Sequence, residues 1–89
     1  MTAATKKAEA IAAALGRKFA PTHSFKAGLT YGKAGLTYVE IEVWANEPRQ
    51  YVGSDLRSLA FYESITAAEA QQVVDSVKGI IKNSGSKRR

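Results

Sequence analysis

The spacing of apolar residues changes along the chain, and each spacing predicts a different element. Apolar residues first recur every three or four positions, which is helical spacing, and Thr2 and Thr5 are candidate N-caps. Pro21, together with Gly16, ends the pattern. We therefore predict a helix over residues 3 to about 18, with an inward stripe formed by Ala4, Ala8, Ile11, Ala12, Leu15 and Phe19.

From Thr22 the apolar positions alternate with polar ones, as in half-buried strands. In the first such run, the odd-numbered residues from His23 to Tyr31 share one side. In the second run, the apolar side holds Thr37, Val39, Ile41, Val43 and Ala45, and the other side holds Tyr38, Glu40, Glu42 and Trp44. The short segment 32–35 between the runs contains two glycines, which suit a tight hairpin because glycine adopts positive φ readily.

A sequence repeat supports this hairpin. The hexapeptide KAGLTY occupies residues 26–31 and again 33–38. The offset is odd, so in one unbroken strand the second copy would turn its side chains to the opposite face. A turn between the copies removes this conflict and predicts that Lys26 lies opposite Glu40 or Glu42. The alternative interpretation, an anion-binding Gly-Lys loop, lacks the spacing of a P-loop.

The next part of the chain, residues 46–64, is harder to assign. Residues 46–49 form a predicted turn, and Gln50 to Gly53 form a predicted third strand. Residues 54–64 fit two patterns, a strand with period two or a short helix capped by Ser54. Of the two we favour a strand from about Ser58 to Tyr62.

The last element has the clearest signals. Thr66 and Glu69 have the spacing of a capping box, and Ile65 is placed for a hydrophobic staple. The predicted helix ends near Asn83, and residues 84–89 form a predicted flexible, basic tail. Its apolar stripe consists of Ala70, Val73, Val74, Val77, Ile80 and Ile81.

These elements predict an α+β domain over residues 1–83, in the order α-β-β-β(-β)-α. We expect an antiparallel sheet with the N- and C-terminal helices packed on one face. The 89 residues, 45% of them hydrophobic and none of them cysteine, fit one small domain stabilised by packing alone. No apolar run approaches the roughly 18 residues that a membrane span requires. We expect a cytoplasmic protein.

The net charge of +5 is concentrated at the two ends of the chain. Residues 1–18 carry +3 and residues 78–89 carry +5, whereas the segment between them carries −3. A phosphate-binding surface on the sheet would require the opposite distribution. Phosphate contact is therefore predicted only for the basic ends, namely Lys6, Lys7, Lys78, Lys82, Lys87, Arg88 and Arg89. Whether these ends converge into one patch is left open.

The polar side of the second strand is the predicted interaction surface. If both helices cover the apolar side, then Tyr38, Glu40, Glu42 and Trp44 face solvent or a partner. The competing interpretation is that Trp44 folds against a neighbouring loop. Two carboxylates on an exposed strand are a weak basis for acid/base or metal chemistry, and His23 has no second histidine or cysteine beside it. We predict no catalytic site, metal or cofactor, and no enzymatic activity.

The order of elements resembles that of double-stranded RNA-binding domains from about Thr5 to Asn83. The resemblance is one of topology only. In that family the second helix begins with a basic cluster that contacts phosphates, whereas here the corresponding segment starts Thr66-Ala67-Ala68-Glu69 and has no basic residue before Lys78. The resemblance therefore implies the fold, and no RNA-binding residue is carried over.

The sequence leads to two functional hypotheses. The first is a small interaction module that binds a protein partner, or a second copy of itself as a homodimer, through the open face of its sheet. The alternative is a nucleic-acid-binding or regulatory accessory protein, of the type encoded by phage and mobile elements, that uses its basic termini. No membrane and no small-molecule substrate is expected as a partner.

Overall fold

A computed structural model describes the backbone of residues 3–86 and the side chains of residues 3–83. The chain forms helix α1 (Ala3–Phe19), strand β1 (His23–Tyr31), a 3₁₀ turn (Lys33–Gly35) and strand β2 (Thr37–Asn46). It continues with strand β3 (Arg49–Ser58), helix α2 (Leu59–Glu63) and helix α3 (Ala67–Ser86). The predicted α+β order is confirmed: in the chain, one helix precedes the three antiparallel strands and the other helices follow them.

The hairpin between β1 and β2 has the register that the repeat requires. The strands are ordered β1-β2-β3, and β1 is antiparallel to β2. Lys26 lies opposite Glu42, which is one of the two alternatives derived from the sequence. The first copy of the hexapeptide lies in β1, whereas the second copy supplies the turn and the first residues of β2. Ala34 (φ 61°) and Gly35 (φ 72°), both in the second copy, adopt the left-handed conformation at the hairpin tip.

The helices cover one face of the sheet. Val39, Ile41 and Val43 on central strand β2 are fully buried beneath them. The first half of α1 shares a core cluster with Val73 of α3, and Leu15 in its second half shares another with Val77. The two long helices consequently run in the same direction, with α1 mainly over β1 and α3 mainly over β3.

The prediction of a strand from Ser58 to Tyr62 is wrong. Strand β3 continues through Ser58, and Leu59–Glu63 form a helix. The Ser58 hydroxyl accepts a hydrogen bond from the Phe61 N–H at 3.1 Å, so the N-cap is Ser58 and not Ser54. The short helix carries the chain from the end of β3 to the helical layer and buries Tyr62 completely in the core.

The capping box at the start of α3 is confirmed. The Thr66 N–H donates to Glu69 Oε1 at 3.0 Å, and the Glu69 N–H donates to Thr66 Oγ1 at 3.2 Å. The helix continues to Ser86, three residues beyond the predicted end at Asn83, so the first half of the predicted tail is helical. The rest of that tail, 87–89, lies outside the described residues.

Two glycine substitutions test the backbone conformation, because they are expected to change the free energy of unfolding in opposite directions. A Cβ on Gly79, within α3, would meet nothing within 4 Å. We expect Gly79→Ala to raise the free energy of unfolding by ~0.5–1 kcal/mol through better helix propensity. A Cβ on Gly35 also has space, but its φ of 72° disfavours alanine, so Gly35→Ala should lower stability by ~1 kcal/mol. Urea denaturation would measure both changes in stability. If both substitutions stabilised the protein, or both destabilised it, the backbone conformation described for Gly35 and Gly79 would be contradicted.

Candidate functional site

The face of the sheet opposite the helices, here called the open face, is not covered by any element within residues 3–86. All four residues of the predicted interaction surface lie on it, along central strand β2. Neighbouring residues of β1 and β3 widen this surface. They are Ser24, Lys26 and Thr30 from β1, and Arg49, Tyr51, Ser54, Leu56 and Ser58 from β3.

A β-bulge places a second aromatic side chain beside Trp44. Val43 lies opposite Gly53, but the next residue, Trp44, lies opposite Tyr51, so β3 contains one extra residue at this point. The extra residue, Val52, packs against the core. Without the bulge Trp44 would face Val52, so the irregularity in β3 produces the aromatic pair on the open face.

Three contacts hold the Trp44 side chain in place. Its indole Nε1–H donates to Glu42 Oε1 at 2.9 Å. Its ring meets the Tyr51 ring edge to face, with centroids 5.4 Å apart. On the same ring, the Arg49 guanidinium carbon lies 4.8 Å from the centroid, within the range of a cation–π interaction. All three contacts come from residues of β2 and β3, so the half-buried Trp44 side chain packs along the sheet.

The other half of the open face pairs an apolar side chain with a carboxylate. Leu56, which is 54% exposed, lies directly opposite Glu40. The cross-strand neighbour of Glu40 on its other side is Gly28, so no cation faces this carboxylate from either strand. Tyr38 ends this half of the surface, and its ring lies so close to Gly32 that a Cβ there would clash with it. The open face therefore combines exposed apolar groups with an unopposed acid.

A cluster of polar side chains that the sequence analysis missed lies on the helix-covered side of β3. Asp55 is 5% exposed and forms a two-pronged ion pair with Arg57, from Nε to Oδ1 at 3.0 Å and from Nη2 to Oδ2 at 3.2 Å. The Arg57 guanidinium also stacks on the Phe61 ring, with its carbon 4.9 Å from the centroid. The nearby Tyr62 hydroxyl is buried and has no hydrogen-bond partner. None of these residues lines the cleft between α1 and β1.

Tyr62 gives a prediction about stability at alkaline pH. Burial raises the pKa of its hydroxyl from 10 to about 12, and the Asp55 carboxylate adds to this rise while Arg57 opposes it. The unfolded chain releases this proton near pH 10 but the folded chain holds it until about pH 12. The stabilisation is therefore complete below pH 10 and is lost as pH rises to 12, with a slope of ~1.4 kcal/mol per pH unit.

We expect Tyr62→Phe to remove this contribution to the fall of the free energy of unfolding between pH 10 and 12. The variant should also be ~1 kcal/mol more stable at pH 7, because a buried hydroxyl without a partner is destabilising. Urea denaturation of both proteins between pH 7 and 12 is the measurement. Parallel stability curves for the two proteins would contradict the burial of an unpartnered hydroxyl.

The predicted phosphate-contacting residues do not gather on one described surface. Lys6 and Lys7 lie near the start of α1, where the Lys7 ammonium donates to the Glu63 carbonyl at the end of α2 (2.9 Å). Lys78 and Lys82 lie in the second half of α3, towards the opposite end of the helical layer. Residues 87–89 lie outside the described part of the chain.

His23 and the acidic residues form no recognisable metal site. The Nδ1 atom of His23 lies 3.0 Å from the Thr22 hydroxyl, and its ring meets Phe19 edge to face. Across residues 3–86, no group of three His, Cys, Asp or Glu side chains is arranged to hold a metal ion. In the same range, no helix is long and apolar enough to cross a membrane.

Comparison with known proteins gives no match. No protein-family model, no curated protein and no solved structure is significantly similar to this chain. The functional argument therefore depends on the geometry of the open face.

Proposed function

We propose that this protein is a non-enzymatic interaction module that binds a protein partner through the open face of its sheet, in the cytoplasm. The observation that supports this most is the fixed Trp44 side chain on a surface that no described element covers. A tryptophan held in one orientation loses little conformational entropy on binding, and such residues commonly anchor interfaces. The exposed side chains of Tyr51 and Leu56 extend the apolar area on both sides of the carboxylates.

The charges on the open face favour a partner with basic and apolar groups side by side. Arg49 is engaged on the Trp44 ring, and Lys26 lies opposite Glu42, so each of these cations has a partner or an opposite charge nearby. Glu40 has no cation opposite it and lies beside exposed Leu56. The complementary surface would place a Lys or Arg over Glu40 and an apolar side chain over Leu56.

The nucleic-acid alternative has less support from the structure. Carboxylates occupy the centre of the open face, where they would repel phosphates. The predicted phosphate-contacting side chains that the structure describes, Lys6, Lys7, Lys78 and Lys82, are divided between the two ends of the helical layer. The open face carries Trp44 and Tyr51 beside the cations Arg49 and Lys26, but Glu40 and Glu42 balance these two charges. It therefore lacks the net positive charge that binding of single-stranded nucleic acid requires.

Paired affinity captures from the native host would test the protein-binding proposal. The wild-type protein and the Glu40→Lys variant serve as baits, and Asp75→Lys is the matched control because it makes the same charge change on an exposed residue of α3. We expect one protein to be retained by the wild type and by Asp75→Lys, and to fall at least ~10-fold on Glu40→Lys, which is about 1.4 kcal/mol.

Two outcomes would contradict the proposal. One is a protein retained equally by all three baits, which would place the binding site elsewhere. The other is capture of nucleic acid, with equal retention by the Glu40→Lys bait and loss at higher salt, which would favour the basic surfaces. Circular dichroism of each bait before use ensures that a lost interaction does not reflect unfolding.

A further inference from the structure

Strand β1 lies at an edge of the sheet, and no strand within residues 3–86 pairs with its outer side. Hydrogen bonds join Asn46 to Thr22 and Gly32 to Leu36, so the even-numbered positions of the β1 arm bond to β2. By alternation, the odd-numbered residues of β1 direct their N–H and C=O groups to the free edge. They are His23, Phe25, Ala27, Leu29 and Tyr31.

Native proteins usually protect such an edge, because a regular unpaired strand is a template for another chain. Strand β1 has nine residues, no proline and no bulge, and Lys26 is its one charged residue with an exposed side chain. These features leave the edge free to pair with a second strand.

The two halves of β1 are complementary in shape. Its second half carries Leu29 and Tyr31, which are 44% and 76% exposed although they lie on the helix-covered side. Its first half borders an open cleft of about 630 Å³ between β1 and α1. Glu9 and the small residues Ala12, Ala13, Gly16 and Ala20 line this cleft from α1 and the turn after it, and His23 and Phe25 line it from β1.

We propose that two copies of this chain form a dimer by antiparallel pairing of their β1 strands about a two-fold axis at Ala27. In this register the strands overlap over all nine residues, and the odd-numbered edge groups face each other. Leu29 lies opposite Phe25 of the second copy and Tyr31 lies opposite its His23. The exposed side chains of each copy thereby enter the cleft of the other, and the small residues of α1 permit the two helices to approach closely.

The number of hydrogen bonds and the positions of the charges both support this register. Five facing pairs exchange about ten main-chain hydrogen bonds, which is as many as a typical interface contains. Lys26 lies opposite Gly28 of the second copy. A register in which Lys26 is at the two-fold axis would place the two Lys26 side chains directly opposite each other, which is unfavourable. The result is a six-stranded sheet with two open faces side by side.

Sedimentation equilibrium of the full chain tests this dimer. We expect a mass of twice 9.6 kDa for the wild type and 9.6 kDa for Leu29→Lys, because a charge replaces the apolar group that enters the cleft. Leu36→Lys is the matched control, since Leu36 is similarly exposed (56%) but lies outside β1, and it should remain a dimer. Gly16→Leu should also give a monomer. A Cβ on Gly16 meets nothing within 4 Å, and Gly16 lines the cleft, so the leucine side chain would occupy the space that the second copy needs. Circular dichroism would verify that the variant is folded.

The chain contains no cysteine, so an Ala27→Cys variant tests the register directly. Facing residues of a hydrogen-bonded pair have Cα atoms about 5.5 Å apart, which a disulfide can span. Oxidation should link two copies of Ala27→Cys but not of the control Leu36→Cys. The proposal is overturned if the wild type is a monomer at ~1 mM, where an association of about −4 kcal/mol half-populates a dimer. It is equally overturned if folded Leu29→Lys remains a dimer, or if Trp44→Ala and not Leu29→Lys separates the copies.

Discussion

Replacing Arg57 with alanine is expected to lower the free energy of unfolding by ~3 kcal/mol, a large share of the 5–15 kcal/mol that stabilises a typical domain. The reason is the position of its partner. The Asp55 side chain is only 4% exposed, so the substitution leaves a carboxylate buried without its cation. The variant also loses the stacking of the guanidinium on Phe61.

The reverse substitution should be milder. The Arg57 side chain is 26% exposed, so in Asp55→Ala its guanidinium can still be hydrated. We expect a loss of ~1–2 kcal/mol, and the double variant should be less destabilised than the sum of the two single losses. Urea denaturation at pH 7 measures all three proteins. If Asp55→Ala lost more stability than Arg57→Ala, the burial of the carboxylate would not be the dominant effect.

The second large effect is expected in binding. Trp44→Ala should weaken binding of the captured partner at least ~30-fold, which corresponds to the 2 kcal/mol of an interface hot spot. The same substitution should lower stability by only ~1–2 kcal/mol, because the cation–π and aromatic contacts it removes lie on an uncovered face. Isothermal titration of the purified pair measures the binding, and denaturation measures the stability.

Leu36→Ala is the control for this experiment. Leu36 is also a large, exposed apolar side chain (56%), but it lies at the hairpin tip before β2, at the opposite end of that strand from Trp44. Its replacement should leave partner binding unchanged. Equal weakening by both substitutions would mean that general loss of apolar surface, and not the Trp44 site, explains the effect.

Local patterns in the sequence were sufficient to predict most of the architecture. The parity of the KAGLTY repeat limited the hairpin to two registers, one of which is observed, and the capping box predicted the start of α3. Each prediction depends only on residues close together in the chain. The alternation of apolar and polar residues predicted that Tyr38 and Trp44 lie on the same side of β2. These features are local, and tertiary contacts did not change them.

Strand β3 shows why the rest was not predictable. Its helix-covered side holds Asp55 and Arg57, so the expected apolar alternation is absent where the strand is covered. The bulge opposite Trp44 also shifts the phase, which hides Tyr51 as a neighbour of Trp44. The strand-to-helix change at Ser58 was obscured because Phe61 and Tyr62 fit either period, and only packing of Tyr62 in the core decides between them.

The fluorescence of Trp44 tests the central claim most directly, because it is the only tryptophan in the chain and it lies on the open face. If the partner binds there, titration of the protein with a tryptophan-free segment of the captured partner should shift the Trp44 emission to shorter wavelength and protect it from acrylamide quenching. The fluorescence titration should give the same dissociation constant as calorimetry. Binding by calorimetry with unchanged emission and unchanged quenching would contradict the open face as the site.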